Sequence, residues 1–269
     1  MPSTAIIQRS FVYRIRAMMG GYHPIVRWYR QHRPVWWWLR THAAGRVTAR
    51  YVKENGLTVK RGPFKGLTYS TAAVGHVGFI PAKLCGSYEP TVVDKLTELA
   101  PTHDLFVDIG SAEGFYCSGM ALAFPHLKVI GFETTPGERD LALEMARING
   151  VTIDQRGTAD PSTLQDLPEG RILALVDIEG YEKVLLDPDR IPRLREMTMV
   201  VELHDAAAPG IEGLLRQRFG ASHDIDLIYP AQIDVDSFPE LNGWPHIQKV
   251  LATHDRPEDV GVWMVLQPK

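Results

Sequence analysis

The sequence predicts an α/β fold: a doubly wound, mainly parallel sheet, preceded by a basic aromatic helical arm and a small β element. Three observations predict it. From residue 105 onward, short apolar runs alternate with helical stretches, the pattern of strands covered on both faces. The first run passes into a glycine-rich turn in Leu105–Gly114, LFVDIGSAEG. The second run, KVIGFE, ends in a carboxylate, Glu133, nineteen residues beyond that turn. Strand, glycine turn, helix, strand and acid is the order in which an α/β domain holds an adenosine-containing cofactor.

The chain has 269 residues, 45 % hydrophobic and 23 % charged, enough for a core of ordinary size. Three parts are expected: a helical basic and aromatic arm over 1–45, a small β element with an approach helix over 46–100, and the α/β domain over 101–269. No run is apolar enough for a transmembrane helix, and the first residues lack a secretory apolar core. Cys85 and Cys117 have no metal-binding spacing, so reduced thiols in a cytoplasmic protein are expected. The net charge of −3 hides an asymmetry: residues 1–65 carry thirteen Lys/Arg and one acid, Glu54, against sixteen Lys/Arg and thirty-one acids in the rest. Such polarity steers an anionic partner or lets the two parts dock.

Short helices are expected around 8–18, around 25–31 and again after Pro34, with breaks at Gly20-Gly21, Pro24 and Pro34. Trp36–Trp38 cover most faces of a helix, so at least one must pack on something. The arm reads as a packing element on the acidic domain or on a second subunit, giving a homodimer. A substrate lid and a membrane-surface contact are the other readings, and no nucleic-acid motif accompanies the basic charge. VTARYV, LTVKRG and GLTYST, separated by Asn55-Gly56 and Gly62-Pro63, predict a hairpin or meander over 47–75. Residues 78–100 form a loop and an approach helix.

Strands follow at 105–109, 128–133, about 151–158, 172–177 and 198–203, and helices at about 114–123, after Pro136 to Asn149-Gly150, at about 180–187 and at 210–219. Late strands at 223–229 and 260–266 are candidates for antiparallel additions.

In the turn, Gly110 permits the sharp bend and Gly114 a close approach of helix and strand, with Ser111 between them near the helix start. Asp108 is expected to meet solvent or ligand at the strand end. Ala112 takes the middle place of a dinucleotide fingerprint, and Asp108 and Glu113 put negative charge where a pyrophosphate would lie. A cofactor with a positive centre and an ammonium fits better than NAD. Glu133 is placed to accept the ribose hydroxyls, Asp160 lies where an adenine amino group is expected, and Thr134 either joins the site or, with Thr135, caps the helix after Pro136.

Asp177, Glu179, Glu182, Glu202, His204 and Asp205 crowd the carboxyl ends of the fourth and fifth strands, on one rim. Asp177 is the candidate for orienting the cofactor's ammonium or the nucleophile. Glu202 and His204 point the same way along an extended strand, and either is a candidate base. Asp177, Glu202 and His204 also form a reasonable ligand set for a divalent ion. Glu182 reads as charge at a helix N-terminus.

Taken together, VDIGSAEGFY, VIGFETTP, Asn149, DIEGYEKVLL and VVELH resemble the Rossmann-like S-adenosylmethionine-dependent methyltransferases, and within them the FkbM-type family, over residues 86–229. The resemblance implies a class I methyltransferase sheet and O-methylation of a hydroxyl on a sugar or natural product. It places Asp108, Gly110 and Gly114 around the methionine part, Glu133 at the ribose and Asp177 at the reacting end. The arm and the segment from 231 lie outside it, and substrate identity is expected to reside there. Arg27, Arg30, Arg33 and Arg40 are candidates to meet an anionic acceptor. N-methylation of an amine or peptide, a nicotinamide oxidoreductase and a non-catalytic binding or scaffold protein are the competing readings.

Overall fold

The structure, a computed structural model, describes residues 43–75, 78–205, 207–254 and 261–269. The expected arm helices, Trp36–Trp38 and the four arm arginines lie outside them. Residues 47–269 form one compact unit.

Five runs become parallel strands: β1 (Leu105–Ile109), β2 (Lys128–Phe132), β3 (Asp154–Arg156), β4 (Ile172–Val176) and β5 (Thr198–Glu202). Two late strands, β6 (His223–Ile228) and β7 (Trp263–Pro268), pair antiparallel with each other, and β7 pairs antiparallel with β5. The sheet order is β3-β2-β1-β4-β5-β7-β6. This is the mixed α/β, mainly parallel sheet that the alternation of runs predicts.

Burial on both faces explains why β1, β2, β4, β5 and β7 are mainly apolar, whereas the edge strands β3 and β6 carry charged residues. Phe106, Val129, Leu173, Leu175, Val200 and Val265 enter one core. Leu105, Val107, Ile109, Ile130, Ala174, Val176, Val201 and Met264 enter the other. The first core takes helices α3 (Pro90–Leu99), α4 (Phe115–Ala123) and α5 (Pro136–Ile148). The second takes the short α6 (Pro161–Gln165), α7 (Glu182–Leu185) and α8 (Ile211–Phe219). A further helix, α9 (His246–Thr253), precedes β7 and packs on α2 (Ile80–Cys85).

The expected β element over 47–75 is corrected. Residues 43–55 form a helix, α1, and β character shrinks to one bridge between Thr58 and Thr68. Val47 and Tyr51, four residues apart, are both buried, and Arg50 pairs with Glu54 at 2.8 Å along the same helix. Burial at helical spacing overrides the β-branched residues of VTARYV. Gly56, at φ 77°, stops the helix, its N–H bonding to the carbonyl of Val52. Strand β3 is shorter than the expected 151–158, and β7 starts later than expected. Cys85 and Cys117 are buried free thiols. No helix among the described residues is long and apolar enough to cross a membrane.

Candidate functional site

A cavity of about 580 Å³ opens at the carboxyl ends of the parallel strands, where the chain leaves β1 toward β2 on one side and β4 lies on the other. This is the switch point at which open α/β sheets take ligands. Its wall includes Gly110, Ala112, Glu133, Thr134, Asp177 and Glu179. Gly110 sits at φ 97°, and a Cβ there would fall 1.8 Å from the carbonyl oxygen of Asp177. The turn after β1 thus depends on glycine for both its conformation and its contact with the end of β4. Gly114, at φ 83°, lets α4 approach α5, since its Cβ would fall 2.7 Å from that of Ala142.

The acids of the turn face away from the cavity. Asp108 was expected at solvent or ligand, but it is 1 % exposed, with Oδ2 accepting from the Cys117 thiol at 3.3 Å. Burial pushes its pKa up to about 7, helped by the charges of Glu113 and Glu133 and opposed by that thiol. Glu113 is also buried. Lys83 of α2 donates to its Oε1, and Tyr69 donates to the same oxygen at 3.1 Å. Glu113 is thus turned into the core and puts no charge where a pyrophosphate would lie. Ser111 is buried too and exchanges hydrogen bonds with Gln155. Lys83 and Tyr69 are the residues that sequence reasoning missed. The available signal was a lone lysine in the apolar stretch FIPAKLC.

Glu133 braces the mouth. Its Oε2 accepts the N–H of Ala112 at 3.1 Å, and its Oε1 accepts the N–H of Thr135 at 2.7 Å. Ala112 holds a left-handed φ of 42°, uncommon for a residue with a Cβ. Thr134 lines the cavity, and Thr135 precedes α5 without a side-chain cap. Asp160 is engaged elsewhere: its carboxylate caps α6, accepting from Thr163 N–H and the Ser162 hydroxyl. Its neighbours Thr158 and Ala159 line the wall instead.

The acids after β4 and β5 converge on one imidazole. His204 Nε2 lies 3.4 Å from Asp177 Oδ1, 3.5 Å from Glu202 Oε2 and 3.6 Å from Glu179 Oε2. Its Nδ1 bonds Glu182 Oε1 at 2.9 Å. Glu182, expected as an N-terminal charge, is fully buried and also accepts the N–H of Ile178 at 2.9 Å. Burial opposes charge on His204, but the Glu182 hydrogen bond and the charges of Glu202, Glu182 and Asp177 prevail and raise its pKa to about 9. Asp177 and Glu179 face the cavity; Glu202 and His204 stand behind them. Asp205 is exposed and caps Gly210.

No protein-family model matches the chain, and no curated protein matches it. Solved structures are similar at low identity. Cofactor-bound Rv0187 from MTB is 20 % identical, with 64 % of this chain and 77 % of that chain covered and a TM-score of 0.45. A methyltransferase from Geobacter sulfurreducens is 13 % identical, with 66 % and 77 % covered and a TM-score of 0.44. The B. subtilis M1A22 tRNA methyltransferase TrmK is 14 % identical, with 65 % and 64 % covered and a TM-score of 0.44. Similarity at this level assigns no activity to the present chain.

Proposed function

We propose that the protein transfers a methyl group from S-adenosylmethionine to a hydroxyl of a small acceptor, a sugar or natural product, as the FkbM-type resemblance implies. One observation carries the reading: a single cavity joins a ribose-type carboxylate, Glu133, to a carboxylate–imidazole cluster fronted by Asp177. Its volume lies within the ~300–1,000 Å³ of small-molecule sites. The strand order, with antiparallel β7 between β5 and β6, supports the class I methyltransferase sheet over a purely parallel dinucleotide fold.

The residues divide by position. Gly110 and Ala112 bring backbone close to the donor, Glu133 accepts from its ribose, and Thr158 and Ala159 border the base. When bound, the donor supplies an electrophilic methyl on a sulfonium: the carbon–sulfur bond breaks, sulfur keeps the pair, and a carbon–oxygen bond forms. The protein's share is to align the acceptor oxygen and to remove its proton. Asp177 and Glu179 are the cluster members that face the cavity, and Glu179 is the more exposed of the two. His204, raised to about 9, enters that step as a cation partner of the carboxylates more readily than as a free base.

Calorimetry with S-adenosylmethionine, followed by mass spectrometry of reactions with hydroxylated sugars and natural-product intermediates, tests the proposal. Saturable donor binding and a gain of one methyl on oxygen are expected. Absence of donor binding would overturn the class. The crowd of carboxylates also favours a cationic amine as acceptor, so N-methylation is the second reading. A product methylated on nitrogen selects it.

A further inference from the structure

Four carboxylates that the sequence spreads over twenty-six residues surround the His204 ring. A ring with one proton or two balances only part of that charge. The 3.4–3.6 Å separations at Nε2 are too long for good hydrogen bonds, which fall near 2.7–3.2 Å. Nε2 accordingly has no hydrogen-bond partner, although the side chain is only 10 % exposed. Two donors on one cation at about 2.1 Å each stand roughly 3 Å apart when adjacent, so these separations are those of a slightly open coordination shell.

We propose that Asp177, Glu179 and His204 bind a divalent cation of the Mn²⁺ class, with Glu182 as the outer partner that fixes the imidazole. One donor atom from each of the three lies within 4.8 Å of the others. Glu182 holds Nδ1–H, so a cation that displaces the Nε2 proton would find that lone pair among Asp177, Glu202 and Glu179. A carboxylate behind a ligating histidine is the usual way to set that tautomer. Glu182 is itself fixed by the Ile178 N–H. Glu202, buried with its Oε2 3.5 Å from the same Nε2, adds negative charge on that side of the ring. Carboxylates with one imidazole suit Mn²⁺, with Mg²⁺ weaker, and the absence of thiolates among them disfavours a structural zinc site.

The cation would face the cavity, because Asp177 and Glu179 line it. It deepens the methyl-transfer reading, on which its role, though not its existence, rests. A cation there would hold the acceptor oxygen and lower the hydroxyl's pKa, so that its proton leaves more readily. This selects acceptors with a ligating oxygen, such as vicinal diols or hydroxy acids, over simple amines.

The test uses the full-length protein, stripped with chelator and titrated with MnCl2 while free Mn²⁺ is read by electron paramagnetic resonance. One saturable site is expected. Glu179→Gln, an exposed change that leaves the fold intact, should weaken it at least about tenfold, as should Asp177→Asn. Glu182→Gln should weaken it about 10- to 100-fold, with Glu182→Asp recovering part of the loss. Glu98→Gln, on an exposed face of α3, should leave it unchanged. Mn²⁺ should also broaden the His204 ring-nitrogen resonances first. No saturable binding below about 1 mM, or binding that survives Glu179→Gln and Asp177→Asn together, overturns the site. Donor calorimetry separates the two proposals: donor binding without Mn²⁺ binding removes the site alone, and Mn²⁺ binding without donor binding removes the methyl-transfer reading alone.

Discussion

Replacing Lys83 by Met tests how the glycine turn is held. Lys83 and Glu113 are buried, with side chains 8 % and 4 % exposed, and the carboxylate also accepts from the Tyr69 hydroxyl. Removing the cation leaves a buried carboxylate that one neutral hydroxyl cannot compensate, and breaking such a pair costs about 3–5 kcal/mol. Glu113→Gln is expected to cost less, about 1–3 kcal/mol. The ammonium it leaves lies over the rings of Tyr88 and Phe115, at 4.7 and 5.3 Å, which favour a cation. The double variant, with no net buried charge, should be more stable than Lys83→Met alone by about 2 kcal/mol. Urea unfolding of the four proteins at one pH gives the cycle. Because Glu113 adjoins Ala112 and Gly114, Lys83→Met should also weaken donor binding more than the double variant does. A loss under about 1 kcal/mol for Lys83→Met, or a double variant no better than it, would refute the reasoning.

Gly110→Ala must adopt a left-handed φ and displace the Asp177 carbonyl, so a loss of about 3 kcal/mol or more in urea unfolding is expected, with donor binding by calorimetry at least tenfold weaker. Asp108 titrates at about 7 in the fold against about 4 unfolded, so the folded state holds the extra proton between those values. Its contribution is present at low pH and is lost as pH rises toward 7, on the order of 4 kcal/mol. Wild type minus Asp108→Asn, measured by unfolding from pH 4 to 8, should show that falling slope. Asp160→Ala removes a helix cap and should cost about 1 kcal/mol in thermal unfolding, with donor affinity unchanged by calorimetry.

The sheet was legible because most of its strands are short apolar runs closed by turns, a pattern that survives any detail of packing. The rim was legible for the same reason: carboxyl ends of adjacent parallel strands meet, so Asp177 and Glu202 had to be neighbours. Over 47–75, β-branched residues and glycine turns mimic a hairpin. Only the buried partners of Val47 and Tyr51 decide the helix. Charge position was legible while charge direction was not. Asp108, Glu113 and Asp160 each stand at the expected place, yet a thiol, a distant lysine and a helix terminus claim their carboxylates. Lys83 lies thirty residues from Glu113, so no local pattern reports the pair.

The turn after β4 shows how backbone conformation gathers the cluster, and it can be tested apart from the chemistry. Gly180 at φ 101° and Glu179 at φ 54° fold the chain back after Asp177, so that Glu179 and Glu182 both return to His204. On the other side, β7 keeps the chain extended past Glu202, with Leu203 N–H bonded to the Val262 carbonyl at 2.8 Å, so Glu202 and His204 face the same way. A glycine would hold the Glu179 conformation without strain, yet the position carries a mostly exposed carboxylate that faces the cavity. Strain kept at a cavity wall is a mark of a functional constraint. Glu179→Gly should therefore be more stable than Glu179→Ala by about 1 kcal/mol, the left-handed penalty less the entropy glycine gains on unfolding. Both variants should lose Mn²⁺ binding equally, because both lack the carboxylate. Equal stabilities would show that the backbone at 179 is relaxed. Unequal Mn²⁺ affinities would show that backbone geometry, rather than the carboxylate, sets the site.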